Sequence, residues 1–178
     1  MSDTTTDLFA ARPAAGEHDP YFASYIAKVP DGSILETLVA QRDALTGRWS
    51  GYAEALGTHR YAEGKWCVKE VIGHLIDCER VFGYRALAAS RGDAASLPGF
   101  DENVYIAGGR YQDRSMDEIL GEYTAVREAT LAFLAGLDAE RLGRVAQANG
   151  SPVSARATAW ITAGHELHHA SVIEERYL

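Results

Sequence analysis

The sequence predicts an all-α protein, a four-helix bundle with one or more long crossover connections. Apolar residues recur at spacings of three and four over four long stretches. Two of these stretches open with a serine followed three residues later by a glutamate, the pattern that satisfies free amides at a helix start. No stretch shows the strict alternation expected of a half-buried strand. The 178 residues, 47% hydrophobic and 24% charged, suffice for one substantial core. A single domain over residues 21–178 is expected, preceded by a flexible tail at residues 1–20, which are polar, small and proline-bearing.

Residues 21–30 read as a lead-in. Ser33 and Glu36 then open a first helix with a stripe of Leu35, Leu38, Leu45, Trp49, Tyr52 and Leu56, ended by Gly57. A second, long helix covers residues 67–91, with Val71, Leu75, Cys78, Phe82 and Leu87 on its apolar side and Gly92 beyond its end. Residues 92–114 are rich in glycine and acid. A connection that long in a compact domain usually has a task, and the rim of a site is expected there. Ser115 and Glu118 open a third helix through Ile119, Leu120, Tyr123, Val126, Thr130 and Phe133 to Gly136. Residues 137–153 read as one helical turn and a glycine- and proline-bearing connection, and from Ser154 a last helix carries Trp160, Ile161, Leu167, Val172 and Ile173.

Net charge is −8 and no run of lysines or arginines stands out, so no DNA or RNA partner is expected. No secretory leader and no apolar run long enough to span a bilayer are seen, which predicts a cytoplasmic protein without a membrane partner. Cys67 and Cys78 lie eleven residues apart in one helical pattern, about 16 Å along the axis, too far to pair. A disulfide-free chain fits a reducing compartment.

Residues 165–169 read HELHH and satisfy H-E-x-x-H, which on a helix places two histidines one turn apart to hold a metal, with the glutamate as base. His165 and His169 point within about 40° of one another, so both reach a single ion. Zinc proteases of this signature take a third ligand from downstream, yet the sequence ends nine residues after His169. Glu174 and Glu175 project about 140° and 240° away from His169 on a continuing helix. The third ligand therefore comes from upstream. His74, among apolar neighbours in the middle of the second helix, is the strongest candidate, because ligation compensates a histidine on such a face. His168 flanks the same pocket or faces a neighbouring helix. Glu166, about 100° from His165, reads as a solvated or inter-helix acid. His18 and His59 receive no role.

The stretches KWCVKEVIGHLIDCERVFGYRAL (residues 65–87), SLPGFDEN (96–103) and AGHELHHASVIEERYL (163–178) together resemble the DinB-like superfamily, small bundles that include the YfiT-type metal-dependent hydrolases. The resemblance runs over roughly residues 20–178. Its specificity rests on a W-x-x-x-E-x-x-x-H-L frame, here Trp66, Glu70, His74 and Leu75, followed by His165 and His169. It implies a four-helix bundle, often a homodimer, with a divalent metal such as zinc, nickel or manganese on His74, His165 and His169 and positions left open for water or substrate. Relatives include S-transferases that use low-molecular-weight thiols and a thiol-dependent isomerase. One departure is Cys67, where a serine or threonine cap is usual, so the start of the second helix is the feature to check.

A three-histidine site with an open position suits a thiolate or a water, whose pKa the metal lowers. The first reading is a thiol-dependent S-transferase, in which the thiolate attacks a small electrophilic substrate held against residues 100–111. The second is a metal-dependent hydrolase, and nothing in the sequence separates the two. The third is a non-catalytic metal-binding dimer of a stress response. Glu70, one turn before His74, and Asp77, about one turn after it, are the catalytic candidates: each can orient an imidazole or accept a proton, or is simply a solvated helix acid. Cys78, four residues after His74, is either a soft ligand or a small core residue. Arg80, Arg85, Arg91 and Arg110 each offer a clamp for the carboxylate of a small acidic thiol or a partner for a surface salt bridge.

Overall fold

Ser115 caps the third long helix as the sequence predicts: its hydroxyl accepts from the Glu118 amide, and the Glu118 carboxylate takes the Ser115 N–H at 2.9 Å. Ser33 also precedes a helix, but its hydroxyl makes no capping bond, and Thr37 instead donates to the Ser33 carbonyl. Cys67 starts the second long helix without a hydroxyl, because Glu70 reaches back to the Cys67 N–H at 2.8 Å.

The computed structural model describes residues 7–51 and 54–178. In chain order its elements are α1 (Ala23–Ile26), α2 (Ile34–Trp49), α3 (Glu54–Gly57), α4 (Val68–Arg91), β1 (Ser96–Leu97), α5 (Glu102–Gly109), α6 (Met116–Ala135), α7 (Ala139–Gly143), β2 (Val145–Ala148), β3 (Ser151–Ser154) and α8 (Ala155–Arg176), with short 3-10 turns between some of them. The four long helices close a ring: α4 packs on α6 and α8, α2 packs on the same two, and α1 lies across α8. One half of the core gathers Leu38, Phe82, Leu134 and Trp160, the other Trp49, Ile72, Ile76, Ile119 and Tyr123. No described helix is long and apolar enough to cross a membrane.

Several expectations are corrected. The first helix stops at Trp49 instead of running to Gly57, because Gly51 turns the chain at φ +85° and α3 follows as a separate piece; Tyr52 lies outside the described residues. Leu87 is 41% exposed, so it lies off the buried side of α4, which continues instead through Ala86, Ala88 and Ala89. The connection at 92–114 contains α5, capped by Asp101, whose carboxylate accepts from Asn103 and Val104. Strands are present: β2 and β3 form an antiparallel hairpin, and β1 joins β2 in parallel. The hairpin turns at Asn149 and Gly150, both at positive φ, as a tight type I′ connection requires.

Residues 7–20, expected to be a flexible tail, are docked on the bundle, while residues 1–6 lie outside the described residues. Arg12 donates to the carbonyls of Ile26 and Val29 at 3.0 and 2.6 Å, and its guanidinium lies 4.5 Å from the Trp160 ring. Buried Glu17 accepts from Ser154 and pairs with Arg156. Polar composition misleads here because Arg12, Glu17 and Asp19 find partners outside the segment. This segment carries the chain into α1, which approaches α8 so closely that a Cβ on Gly164 would lie 2.0 Å from the Tyr25 carbonyl oxygen.

Candidate metal centre

On α4, His74, Cys78, Phe82 and Arg85 follow one another at steps of four, four and three, which keeps all four on one face. That face meets the His165, His168 and His169 end of α8 across a cavity of ≈ 300 Å³. Tyr21, Phe22, Tyr25, Trp66, Phe100, Glu102 and Asn149 also line it.

His74, His165 and His169 each present a nitrogen to a common point, all within 4.8 Å of one another. Nε2 of His165 lies 3.1 Å from Nε2 of His74 and 3.0 Å from Nε2 of His169. Nitrogens this close need a proton or a cation between them. Burial pulls all three pKa values down, His74 to about 4, His169 to about 3 and His165 well below the usual range, so none of the rings carries a second proton at neutral pH. The donor set is three neutral imidazoles, which suits a divalent ion of the zinc type.

Aromatic rings hold the imidazoles in place. Trp66 lies 4.9 Å from His74, centroid to centroid, and Tyr25 lies 5.5 Å from His165 and 5.4 Å from His168. Cys78 Sγ is 3.6 Å from both ring nitrogens of His74. Burial pushes its thiol up to about 12.

The other expected residues separate. Glu70 accepts from Arg60 and from the Cys67 N–H, which hold its carboxyl below the usual range against the opposing effect of burial. Asp77 accepts from the Tyr111 hydroxyl at 2.8 Å, and burial raises its carboxyl. Neither lines the histidine cavity. Glu166 faces the bundle interior, buried, and accepts from Arg127 at 2.7 Å and Tyr123 at 2.8 Å, so it is an inter-helix acid. His168 flanks the cavity, as one of its two readings has it. His18 is buried, with Nδ1 2.8 Å from its neighbour's carbonyl, Asp19 O. His59 stacks edge-on against Tyr177, at 6.2 Å. Tyr25, Glu102 and Asn149 went unnoticed in the sequence. The aromatic run Tyr21, Phe22, Tyr25 and the Asn-Gly pair were the available signals.

The neutral histidines make the metal-free fold sensitive to acid. Their folded pKa values lie below the unfolded value near 6.5, so the unfolded chain gains protons first and stability is lost as pH falls from about 6.5 toward 4. His74 alone is expected to contribute about 1–2 kcal/mol of loss between pH 7 and pH 5. Urea unfolding of metal-free protein at the two pH values checks this, and His74→Phe should narrow the difference.

By sequence, the DinB superfamily model matches residues 37–173. Among solved structures the fold is similar to YfiT from Bacillus subtilis, named a probable metal-dependent hydrolase with an unusual four-helix bundle topology. The two share 16% identity over 93% of this chain and 90% of that one, with a TM-score of 0.66. At that identity the likeness is one of fold. No curated protein matches the chain.

Proposed function

The chain belongs to the DinB superfamily, and on that premise we propose that it is a divalent-metal-binding S-transferase that uses a low-molecular-weight thiol, with His74, His165 and His169 as the metal ligands. The observation that carries this reading is the convergence of three neutral imidazoles on the wall of a cavity large enough for a small molecule. A divalent ion held there supplies Lewis acidity that makes a bound thiol, or a bound water, nucleophilic near neutral pH. The chain's own residues do the rest. Trp66 packs on the His74 ring and Tyr25 on the His165 ring, which restrains the imidazole planes. Phe100 and the start of α5 form the rim against which the electrophilic substrate rests. Glu70 acts as a positioning residue: tied to Arg60 and the Cys67 N–H, it fixes the first turn of α4 and with it His74.

A metal-dependent hydrolase is the second reading. It is favoured by the name given to YfiT and by Glu102, a carboxylate on the cavity wall in reach of a small substrate as proton acceptor. A non-catalytic metal-binding role in a stress response is the third, and ligation by Cys78 would favour it by closing the site. We also propose a homodimer; the apolar groove lined by exposed Tyr84 and Leu87 between α4 and α6, apart from the histidine cavity, offers a surface for it.

Elemental analysis of protein supplied with zinc, nickel or manganese tests the site. Wild type should carry one ion per chain, and His74→Ala, His165→Ala and His169→Ala, each checked for helicity, should lose it. Conjugation of a thiol to an electrophile by the loaded protein, without ester hydrolysis, then separates transferase from hydrolase. Folded wild type that takes up no metal contradicts the proposal.

A further inference from the structure

Arg85 lines the same cavity as the three histidines and is 8% exposed. Among the described residues it makes a single hydrogen bond, from Nη2 to the Pro98 carbonyl at 3.2 Å. Its Nε is shut off from solvent without a partner. No described carboxylate lies within ion-pair distance of it, whereas Arg80, Arg110 and Arg127 are each paired with an acid. A buried cation without a counter-ion is costly to keep, and burial alone pulls its pKa down.

The surroundings of Arg85 give this charge a direction. The Phe82 and Phe100 rings each lie with their centroid 6.0 Å from the guanidinium carbon. Ring faces attract the cation but cannot accept its in-plane N–H bonds, so they leave the buried Nε–H without an acceptor. The Phe82 ring is in turn 6.3 Å from the His165 ring, which puts Arg85 one aromatic ring from the histidine cluster. Asn149, which lines the same cavity, offers a neutral donor.

We propose that Arg85 is the anchor for the oxyanion of an organic ligand, so that the cavity selects small molecules carrying a carboxylate or a phosphate ester whose other end faces the three histidines. The second half of this statement rests on the reading of those histidines as the reacting centre; the anion site does not. A planar guanidinium edge matches both oxyanions, and the phenyl walls favour one attached to an apolar body over an inorganic ion.

Hexanoate, hexyl phosphate, hexanamide and inorganic phosphate are the probes, titrated into the purified protein by calorimetry and followed through the Arg85 Nε–H signal by NMR. Hexanoate or hexyl phosphate should bind and shift that signal, and hexanamide should bind about 10- to 100-fold more weakly, the range for losing a charge-assisted hydrogen bond. Which of the two acids binds tighter identifies the oxyanion. Arg85→Met should lose the preference for acid over amide, and Arg85→Lys should regain part of it. Equal binding of acid and amide by wild type, a silent Arg85 signal, or acid binding by Arg85→Met as tight as wild type overturns the proposal. If Arg85→Met does not fold, the wild-type selectivity and the Arg85 signal still decide. Zinc uptake, measured in parallel, reports on the histidines alone: acid selectivity without zinc uptake sinks the metal site and leaves the anion site standing.

Discussion

Replacing Arg127 by methionine is expected to lower the unfolding free energy by about 3–5 kcal/mol, the usual cost of removing one partner from a buried ion pair. Arg127 is 1% exposed on α6 and ties all four long helices together. Its Nε and Nη2 donate to Glu79 on α4, Nη2 also donates to Glu166 on α8 at 2.7 Å, and Nη1 donates to the Leu38 carbonyl on α2 at 3.0 Å. Methionine fills similar space but leaves two buried carboxylates without a cation. The melting temperature should fall by roughly 6–20 °C at about 2–4 °C per kcal/mol. Adding Glu79→Gln and Glu166→Gln to Arg127→Met should recover much of the loss, since it removes the stranded charges. Urea unfolding of these variants checks both statements; a loss below about 1 kcal/mol would show that the clamp is solvated.

Gly164→Ala is expected to be the most disruptive single methyl group in the chain. The new Cβ would stand 2.0 Å from the Tyr25 carbonyl oxygen and 2.4 Å from its carbon, both backbone atoms that no rotamer change can move. Either α1 lifts off α8 or α8 shifts, at an overpacking cost of about 1–3 kcal/mol or more. Because Tyr25 packs edge-on against His165 and His168, the same displacement should loosen metal binding as well as the fold. A crystal structure or an NMR map of Gly164→Ala should show the change centred on residues 21–26. Wild-type stability and an unmoved Tyr25 would contradict the close approach.

What the sequence made legible depends on whether local chemistry carried the signal. The helices of the bundle are marked by their own apolar spacing, and Ser115 with Glu118 does what its pattern says. The histidine pair was legible because four residues is one turn, and His74 because an apolar helix face leaves a histidine few partners. The hairpin was not, although Asn149-Gly150 is a strong turn signal: its inward residues in β2 are Ala146 and Ala148, too small to make the alternation visible. Residues 7–20 look like a tail because their partners, Ser154, Arg156 and Trp160, lie far away in sequence. The break after Trp49 was hidden by apolar residues that continue in phase past Gly51. Glu166 shows the limit of motif reading: H-E-x-x-H fits, yet one residue of helix rotation turns the acid into the core, where Arg127 holds it.

Zinc K-edge X-ray absorption on protein loaded with one equivalent of zinc tests the central claim most directly. The account predicts scattering from three imidazole nitrogens at about 2.0–2.1 Å plus a further light atom in the open position, and loss of one imidazole shell in a folded His74→Ala. A fit without imidazoles, or a fourth protein ligand seen as sulfur at about 2.3 Å, which Cys78 would supply, contradicts an open three-histidine centre.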